Sequence, residues 1–532
     1  MCIQVLSVVP DKKYDDNFDY SLPSTLEKLR SFCKKITWRT SEDRREFIRR
    51  FYQLIVYWEQ PLPNLRKFFS SEEIERLLKG SIDHVCGDLN SHEGQRIIEF
   101  VVRTGYKDEP KVDETGKPLL RRTTPIHIAA RHSSRLNVVV YELFQVYNRY
   151  DLNYVDETGM THFHLACRYG FDDVVQKFIE LGQDPNSLEQ PTRESPLHLA
   201  LKFGRIYSLE LMLRNGADPN AVDSKGLSAL HLICQALNFH NDEKDDVVEL
   251  FFDTIDETGQ AVQLNLQDRL GNTPLHYALQ CNNTKAAQCL LLRRADPNIA
   301  NNEGSTPLHF IGQCYNDNTM AEEFFRITQN RRQVVKINAQ DKFGMTPLHL
   351  ALRYSEGKMV KLLLRKGANP NLANTKGETA LHIICQKYQD NGLAEILFKF
   401  GNKRHRTIRV DVRDKKGQTP LQLAVANLLP KAVDQLLIHG ADLSTFVFPS
   451  STLDPKDFSH SNIFKLTLAS RTMCVIQLLQ EAGHYLNVTD ILTIMDSFAK
   501  YGFKIDGNWF KSVAPRTDTA ATQNSGETSH QH

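Results

Sequence analysis

The stretch that decides the fold runs from Thr346 to Glu378 and reads TPLHLALRYSEGKMVKLLLRKGANPNLANTKGE. It opens with a Thr-Pro-Leu-His tetrapeptide, continues through two runs in which apolar residues recur at helical spacing, and ends in a turn rich in Asn and Gly. The tetrapeptide pattern, Thr/Ser-Pro/Ala-Leu-His, starts again 33 residues later at Thr379. A pattern that restarts after so few residues predicts an internal repeat.

Nine copies of this pattern occur in the chain, at successive spacings of 37, 34, 33, 45, 33, 40, 33 and 40 residues. Thr or Ser can cap the N-terminus of a helix, and Pro fits its first turn. His fills the fourth position in eight copies and Gln422 fills it in the ninth, which suits a hydrogen-bonding role. Helix packing would hold the copies too far apart to share a metal ion. We assign this structural role to Thr124, His127, Thr161, His164, Ser195, His198, Ser228, His231, Thr273, His276, Thr306, His309, Thr346, His349, Thr379, His382 and Thr419.

Two further features recur at the same spacing as the tetrapeptide. A DPN-like turn precedes several copies, as at Asp218-Pro219-Asn220, and a glycine lies just before the motif, as at Gly344. Together these residues resemble the ankyrin repeat, with its two antiparallel helices and a β-hairpin-like finger between units. The resemblance implies an all-α fold, namely an ankyrin-repeat α-solenoid with β-hairpin fingers. We expect nine to ten repeats plus a helical N-terminal region.

The ends of the chain depart from the pattern. We predict a helical N-terminal region of no recognised family at 1–90 and the ankyrin array at 91–483. Within the array, 91–123 is interpreted as a degenerate capping unit without a recognisable first helix. Clear repeats run from Thr124 to about 445, and a worn tenth unit occupies about 455–483. A C-terminal helical extension at 484–513 and a disordered tail at 514–532 follow.

From Ser195 onward, short repeats of 33 residues alternate with longer ones of 45, 40 and 40. In the long repeats, the DPN motif is replaced by segments in which apolar and polar residues alternate. This pattern predicts extended strands and therefore longer hairpin fingers on every second repeat. The alternative is that the added residues form tolerated surface loops. The three segments are Val262–Leu266, Val335–Asn338 and Ile408–Val412.

Composition excludes several functional classes. Lys plus Arg number 65 against 64 Asp plus Glu, so no global field favours nucleic acid or an anionic membrane. The ten cysteines show no CxxC pair and are interpreted as reduced thiols of an intracellular protein. We find no signal peptide, no membrane-spanning stretch and no phosphate-binding, nucleophile-elbow or zinc-protease motif. We therefore expect no enzyme, cofactor, metal or small-molecule substrate, and a cytoplasmic location with the nucleus as the alternative.

The resemblance implies that partners bind on the face formed by finger tips and first helices. There a cation beside an aromatic residue recurs, and Arg and Tyr are typical interface anchors. The alternative for these aromatic residues is that they pack between neighbouring helices. The basic run Lys403–Arg406 is interpreted as a solvated loop; the alternative is that it forms a surface that binds an acidic partner. Candidate partner-binding residues are Arg168, Tyr169, Lys202, Phe203, Arg353, Tyr354, Asp223, Lys225, Asp268, Arg269, Glu303, Lys342, Lys376 and Lys415.

Three functional hypotheses follow. The leading one is a protein-binding adaptor or scaffold that captures one or more proteins on the concave ankyrin surface. The second is a substrate-recruiting subunit of a ubiquitin ligase, or an inhibitor of a signalling pathway. The third is an enzyme whose catalytic part lies in the N-terminal region, where the candidate groups are Cys33, His84 and Cys86.

Overall fold

The computed structural model describes residues 31, 41–56, 58, 61–87, 92–132, 136–189, 192–235, 243–313, 319–354, 357–387, 389, 391–401, 407–444, 446–449 and 462–500. They fall into two compact units, one ending at residue 263 and the other beginning at 264. We name each repeat after the first residue of its tetrapeptide. The predicted tail at 514–532 and the basic run at 403–406 lie outside the described residues.

The first unit contains four complete tetrapeptide repeats, each built from a first helix and a second helix. A helix, a short 3₁₀ helix and a further helix pair precede them. In chain order, the elements are Ser41–Ile55, Leu65–Lys67 (3₁₀), Ser71–Gly87, Glu93–Arg103, Pro125–His132, Asn137–Val146, His162–Tyr169, Asp172–Glu180, Pro196–Lys202, Ile206–Arg214, Ala229–Gln235 and Glu243–Thr258.

The capping repeat of the first unit is complete, which corrects the prediction that it lacks a first helix. That helix is Ser71–Gly87, inside the segment assigned to the N-terminal region, and its second helix is Glu93–Arg103. The two helices cross closely at Gly94, where a side chain would collide with Ser81. They pack respectively on the first and second helices of the Thr124 repeat. The helix was missed because it carries no tetrapeptide and spans 17 residues.

The helix Ser41–Ile55 lies against this capping pair through aromatic side chains. The Phe51 ring is fully buried, with its centroid 6.0 Å from Phe69 and 6.3 Å from Phe100. Trp58 meets the Phe100 ring at 5.7 Å. Edge-to-face pairs of this kind stabilise packing beyond the area they bury. The aromatic residues near the N-terminus therefore form a core against the first repeat.

The second unit contains five tetrapeptide repeats followed by two helices. In the worn tenth unit predicted at about 455–483, the described residues form one continuous helix of 20 residues, where an ankyrin repeat has two shorter helices. No Gly or Pro between Leu466 and Val475 interrupts it. In chain order, the helices are Pro274–Gln280, Thr284–Leu292, Pro307–Gln313, Thr319–Asn330, Pro347–Tyr354, Gly357–Lys366, Ala380–Cys385, Leu393–Gly401, Pro420–Ala426, Pro430–Ile438, Asn462–Glu481 and Val488–Lys500.

The tetrapeptide caps the first helices, and the cap is reciprocal in the Ser195, Thr273, Thr379 and Thr419 repeats. In the Ser195 repeat, the Ser195 hydroxyl accepts a hydrogen bond from the His198 N–H, and the His198 ring nitrogen Nδ1 accepts one from the Ser195 N–H. Pro196 occupies the first turn, where its missing N–H costs nothing. In the ninth copy Gln422 replaces His and keeps the reciprocal cap, because its side-chain oxygen accepts a hydrogen bond from the Thr419 N–H at 2.9 Å.

The histidines of the motif also connect successive repeats. Because Nδ1 accepts from the cap N–H, the ring proton sits on Nε2, which donates to a carbonyl of the turn that leads into the next repeat. These bonds are 2.9–3.2 Å long and buried or half-buried. Such pairs are His127–Met160, His164–Ser187, His198–Leu227, His276–Ser305, His309–Met345 and His382–Gln418.

An amide ladder links the turns on the opposite edge of the repeats. In the second unit, the Asn298 side chain donates to the Val334 carbonyl at 2.6 Å and accepts from the Lys336 N–H at 2.7 Å. The residues at the same position in neighbouring turns accept a hydrogen bond from a backbone N–H of the next turn in the same way, and Asn186, Asn220, Asn338 and Asn371 also donate to a carbonyl there. The ladder residues are Asn186 and Asn220 in the first unit, and Asn265, Asn298, Asn338, Asn371 and Asp411 in the second.

This ladder explains why the predicted strands in the long repeats are wrong. Asn265, Asn338 and Asp411 lie in the period-two segments and take the ladder position that the DPN asparagine holds elsewhere. The segments form turns and irregular backbone. Part of the extra length lies instead in longer second helices in two of the three long repeats, since Glu243–Thr258 has 16 residues and Thr319–Asn330 has 12, against 9 in Ile206–Arg214; Leu393–Gly401 of the third also has 9.

Gly344 provides a test of how closely successive finger tips approach. Its φ is +68°, and a β-carbon there would lie 2.8 Å from the Thr375 backbone nitrogen. We expect Gly344→Ala to lower the free energy of unfolding by roughly 2–4 kcal/mol, from backbone strain plus the collision. Gly417 is the matched control: its φ is +78° but no atom lies within 4 Å of an added β-carbon. Gly417→Ala should therefore cost only about 1–2 kcal/mol in urea denaturation. Equal losses would contradict this packing.

Candidate functional site

Most fingers turn on an Asp or Asn whose side chain bonds back to its own turn; the finger before Ser195 has Glu189 at this place. The Asp268 side chain is only 8% exposed and accepts hydrogen bonds from the backbone N–H groups of Leu270 and Asn272 and from the Tyr277 hydroxyl. A side-chain oxygen that accepts from the second and fourth following residues holds the turn closed. The same pattern recurs at Asp113, Asp156, Asp223, Asn301, Asp341, Asn374 and Asp414.

This geometry corrects two predicted partner-binding residues. Asp223 and Asp268 use their carboxylates to hold their own turns, so we remove them from the candidate surface. In the sequence they look like tip residues, because the turn does not show which way the side chain points. The exposed tip positions are the next one or two residues. Predicted residues that the structure exposes at finger tips are Lys225, Arg269, Glu303, Lys342, Lys376 and Lys415.

The finger tips of the second unit form a hydrogen-bonded row. Each tip donates a backbone N–H to a carbonyl of the preceding tip, at 2.8–2.9 Å. Such a row fixes the spacing of the tips and the direction of their side chains, which pre-organises a binding surface. The donor–acceptor pairs are Asn302–Leu270, Lys342–Glu303, Thr375–Phe343 and Lys415–Lys376.

A groove lies between this row and the first helices of the second unit. It encloses about 430 Å³, and a smaller hollow of about 150 Å³ beside it shares Met345, Arg353, Lys376 and Glu378. We call the two together the Tyr354 groove. The side chains that define it are Glu303, Phe310, Phe343, Arg353, Tyr354, Lys376, Glu378 and Lys387.

The groove brings together four predicted candidates and several residues that the sequence analysis missed. Arg353, Tyr354, Glu303 and Lys376 line it, and the Arg353 guanidinium lies 6.0 Å from the centre of the Tyr354 ring. Phe343 was missed although it stands at a finger tip with 62% of its surface exposed. An apolar residue two positions after the turn aspartate was the available signal.

The carboxylates of the groove already have partners. Glu303 pairs with Lys342 at 2.8 Å. Burial of Glu378 acts to raise the pKa of its carboxyl group, but hydrogen bonds from Gln386 and Asn374 outweigh burial and hold that pKa below its usual value. Glu378 is therefore ionised and satisfied at neutral pH.

The corresponding face of the first unit is built differently. The Arg168 guanidinium lies 4.7 Å from the centre of the Phe203 ring, and Lys202 pairs with Glu194 at 2.8 Å. Tyr169 is 6% exposed and stacks on Phe171 at 5.6 Å. Tyr169 packs inside the repeat, so its assignment as a partner contact is corrected.

The N-terminal candidates for catalysis have structural surroundings. The His84 ring meets the Glu93 carboxylate at 2.9 Å and joins the two helices of the capping repeat. Burial raises the pKa of the Cys86 thiol, which is opposite to the activation of a nucleophile. Cys33 lies outside the described residues. In the described part of the chain, no group of three His, Cys, Asp or Glu side chains is placed to hold a metal ion.

No helix among the described residues is long and apolar enough to cross a bilayer.

Known proteins share this repeat. The chain is 27% identical over 360 residues to transient receptor potential cation channel subfamily A member 1 of Drosophila melanogaster, covering 68% of this chain and 28% of that protein. It is 27% identical over 379 residues to mouse Rabankyrin-5, covering 60% of this chain and 31% of that protein. The chain thus spans less than a third of these relatives.

Among solved structures, the ankyrin repeat domain of Bcl-3 shares 25% identity, with a TM-score of 0.36 over 45% of this chain and 99% of that one. A family model described as ankyrin repeats (3 copies) matches residues 91–189, 197–301, 282–374 and 356–446. These matches cover more than half of the chain, and they coincide with the capped, histidine-linked helix pairs. The chain therefore belongs to the ankyrin-repeat family.

Proposed function

We propose that the protein is an adaptor or scaffold that captures a protein partner on the finger-tip and first-helix surface, with the Tyr354 groove as its principal site. Ankyrin repeats are protein-interaction modules. The observation that carries the proposal is the groove itself, in which a hydrogen-bonded row of tips holds Phe343 outward beside Arg353 and Tyr354.

The energetic reason lies in the exposed apolar side chains. Phe343 and Tyr354 are 62% and 36% exposed, and they lie in one concave site. Clustered apolar surface of this kind favours a partner that removes it from water. Because Arg and Tyr anchors contribute most to interfaces, the groove is the best candidate for a binding centre.

The remaining exposed candidates would extend this surface. In the second unit they are the tips at Arg269, Lys342 and Lys415. In the first unit they are Lys225 and the cluster of Arg168 with Phe203 and Lys202. We propose these as peripheral contacts, which set orientation and association rate more than affinity. We place the protein in the cytoplasm, where unpaired thiols such as Cys167 stay reduced.

The test uses the full chain carrying Phe343→Ala, Arg353→Ala and Tyr354→Ala together. Loss of three anchors should weaken partner binding at least about tenfold, since each is expected to contribute on the order of 1 kcal/mol. Quantitative mass spectrometry of proteins that co-purify with the tagged chain measures this loss, and urea denaturation verifies that the variant folds.

The matched control changes exposed residues of the same unit outside the groove. Arg326 lies on a second helix in an ion pair with Glu323, and Val334 is 81% exposed. Arg326→Ala with Val334→Ala should leave the co-purifying proteins unchanged. If the groove variant also retains all of them, the partner surface lies elsewhere.

A further inference from the structure

We infer that the Tyr354 groove takes an acidic linear segment of its partner, in which Asp or Glu residues flank a bulky apolar side chain. The inference rests on the proposed function and specifies the chemistry of the partner. It follows from which charged groups of the groove already have close hydrogen-bonding or ionic partners in the chain and which do not.

The acidic groups of the groove have no spare role for a cationic ligand. Glu303 is held by Lys342, and Glu378 by Gln386 and Asn374. The Asp341 carboxylate accepts from two backbone N–H groups of its own turn, those of Phe343 and Met345. A basic ligand would have to displace these contacts, and leaving a hydrogen-bonding group without its partner is costly.

The cations of the groove are in the opposite situation. Arg353, Lys376 and Lys387 all line it, and among the described residues none of the three makes a close ion pair, although the charge of Lys376 helps to lower the pKa of the Glu378 carboxyl group. Lys387 is half-buried, and burial lowers the pKa of its ammonium group. A carboxylate placed between these three groups would regain the charge compensation that partial burial removes.

The first unit is only partly similar: Arg168 lies beside the Phe203 ring and makes no ion pair among the described residues, but other cations there are paired. There Lys202 is already paired with Glu194, and Arg131 is paired with both Asp156 and Glu157. First helices of both units thus end in cations, but Lys202 and Arg131 in the first unit are compensated within the chain. In the second unit, the uncompensated cations coincide with the groove that also exposes Phe343 and Tyr354.

The size of the groove sets the length of the ligand. Its lining comes from three successive repeats, those of Thr306, Thr346 and Thr379. Helices packed about 10 Å apart give a span of roughly 20 Å, which about six to eight extended residues cover. The apolar side chain of the segment would meet Phe343 and Tyr354, with acidic residues on either side reaching Arg353 and Lys376.

The experiment selects phage-displayed random 12-residue peptides on the immobilised full chain at low salt. We expect enriched sequences to carry at least two Asp or Glu residues around an aromatic or large aliphatic residue. The same selection on Arg353→Glu with Lys376→Glu should reduce recovery of these sequences at least tenfold. The control Lys358→Glu with Lys399→Glu makes the same change of net charge on exposed second-helix positions. It should retain them.

Other outcomes overturn the inference. Enrichment of basic or purely apolar peptides would show that the uncompensated cations do not select the ligand. An equal loss in the control variant would show that general charge, not the groove, attracts the peptides. The adaptor role is judged separately by the alanine variants and their co-purifying proteins. If the alanine variant loses the co-purifying proteins but the selection enriches basic peptides, the adaptor role is supported and the acidic ligand is rejected.

Discussion

Replacing His309 by Ala is expected to lower the free energy of unfolding by roughly 3–5 kcal/mol. The ring is fully buried. Its Nδ1 lies 3.0 Å from the Thr306 backbone nitrogen, and its Nε2 lies 3.1 Å from the Met345 carbonyl oxygen. Alanine would leave both of these groups buried without a partner, at about 1–3 kcal/mol each, and would add a cavity.

The chain supplies its own control for this experiment. Gln422 holds the same position in the ninth motif and keeps the bond to the cap N–H. His309→Gln should therefore keep the cap and lose mainly the bond to the next turn, at about 1–2 kcal/mol. Urea denaturation followed by circular dichroism compares the two variants with the parent. If glutamine costs nothing, the bond from the ring to the next turn does not stabilise the repeat; if alanine and glutamine cost the same, the cap bond does not.

Acidification is expected to destabilise the protein strongly between pH 6.5 and 4. Burial lowers the pKa of His127, His164 and His349 to about 4 in each case, and it also lowers the pKa of His162 and His309. In the unfolded chain a histidine has a pKa near 6.5. The unfolded state therefore takes up protons first as the pH falls.

The sign and size follow from this difference. The stability that these neutral histidines contribute is complete above pH 6.5 and is lost progressively as the pH falls to about 4. At pH 5 the loss is about 2 kcal/mol for each histidine whose folded pKa is about 4. Glu142 acts in the opposite sense. Burial raises its pKa to about 8, so its contribution declines as the pH rises from about 4.5 to 8.

Urea denaturation at pH 7.5 and pH 5.0 measures this loss. The double variant His127→Gln with His164→Gln should be less stable at pH 7.5 but should show a smaller drop between the two pH values, because two of the titrating groups are gone. A parent protein with equal unfolding midpoints at both pH values would contradict the assignment of neutral, buried rings.

The sequence predicts the regular part of this fold because one short signal marks each repeat. The Thr-Pro-Leu-His motif is local: cap, proline and histidine all act within four residues, so the start of each first helix can be located without knowing the tertiary structure. Arg294 stands after a second helix, where other repeats have a glycine, and its φ of +68° lies in the left-handed region.

What the sequence did not predict depends on contacts between distant residues. Ser71–Gly87 becomes a first helix through its packing on Glu93–Arg103 and the Thr124 repeat, and no local motif marks it. Asn338 looked like part of a strand because its partner, the Asn369 N–H, is 31 residues away. The inward orientation of Asp268 and the outward one of Phe343 likewise follow from the closed turn.

The central claim, that partners bind in the Tyr354 groove, is tested most directly by placing a photo-crosslinking p-benzoylphenylalanine at Phe343 of the full chain. Val334, which is more exposed but outside the groove, is the reference position. Irradiation in cells should attach partner proteins at Phe343 and none of the same proteins at Val334. Crosslinks at Val334 with none at Phe343 would contradict the assignment of the groove as the binding site.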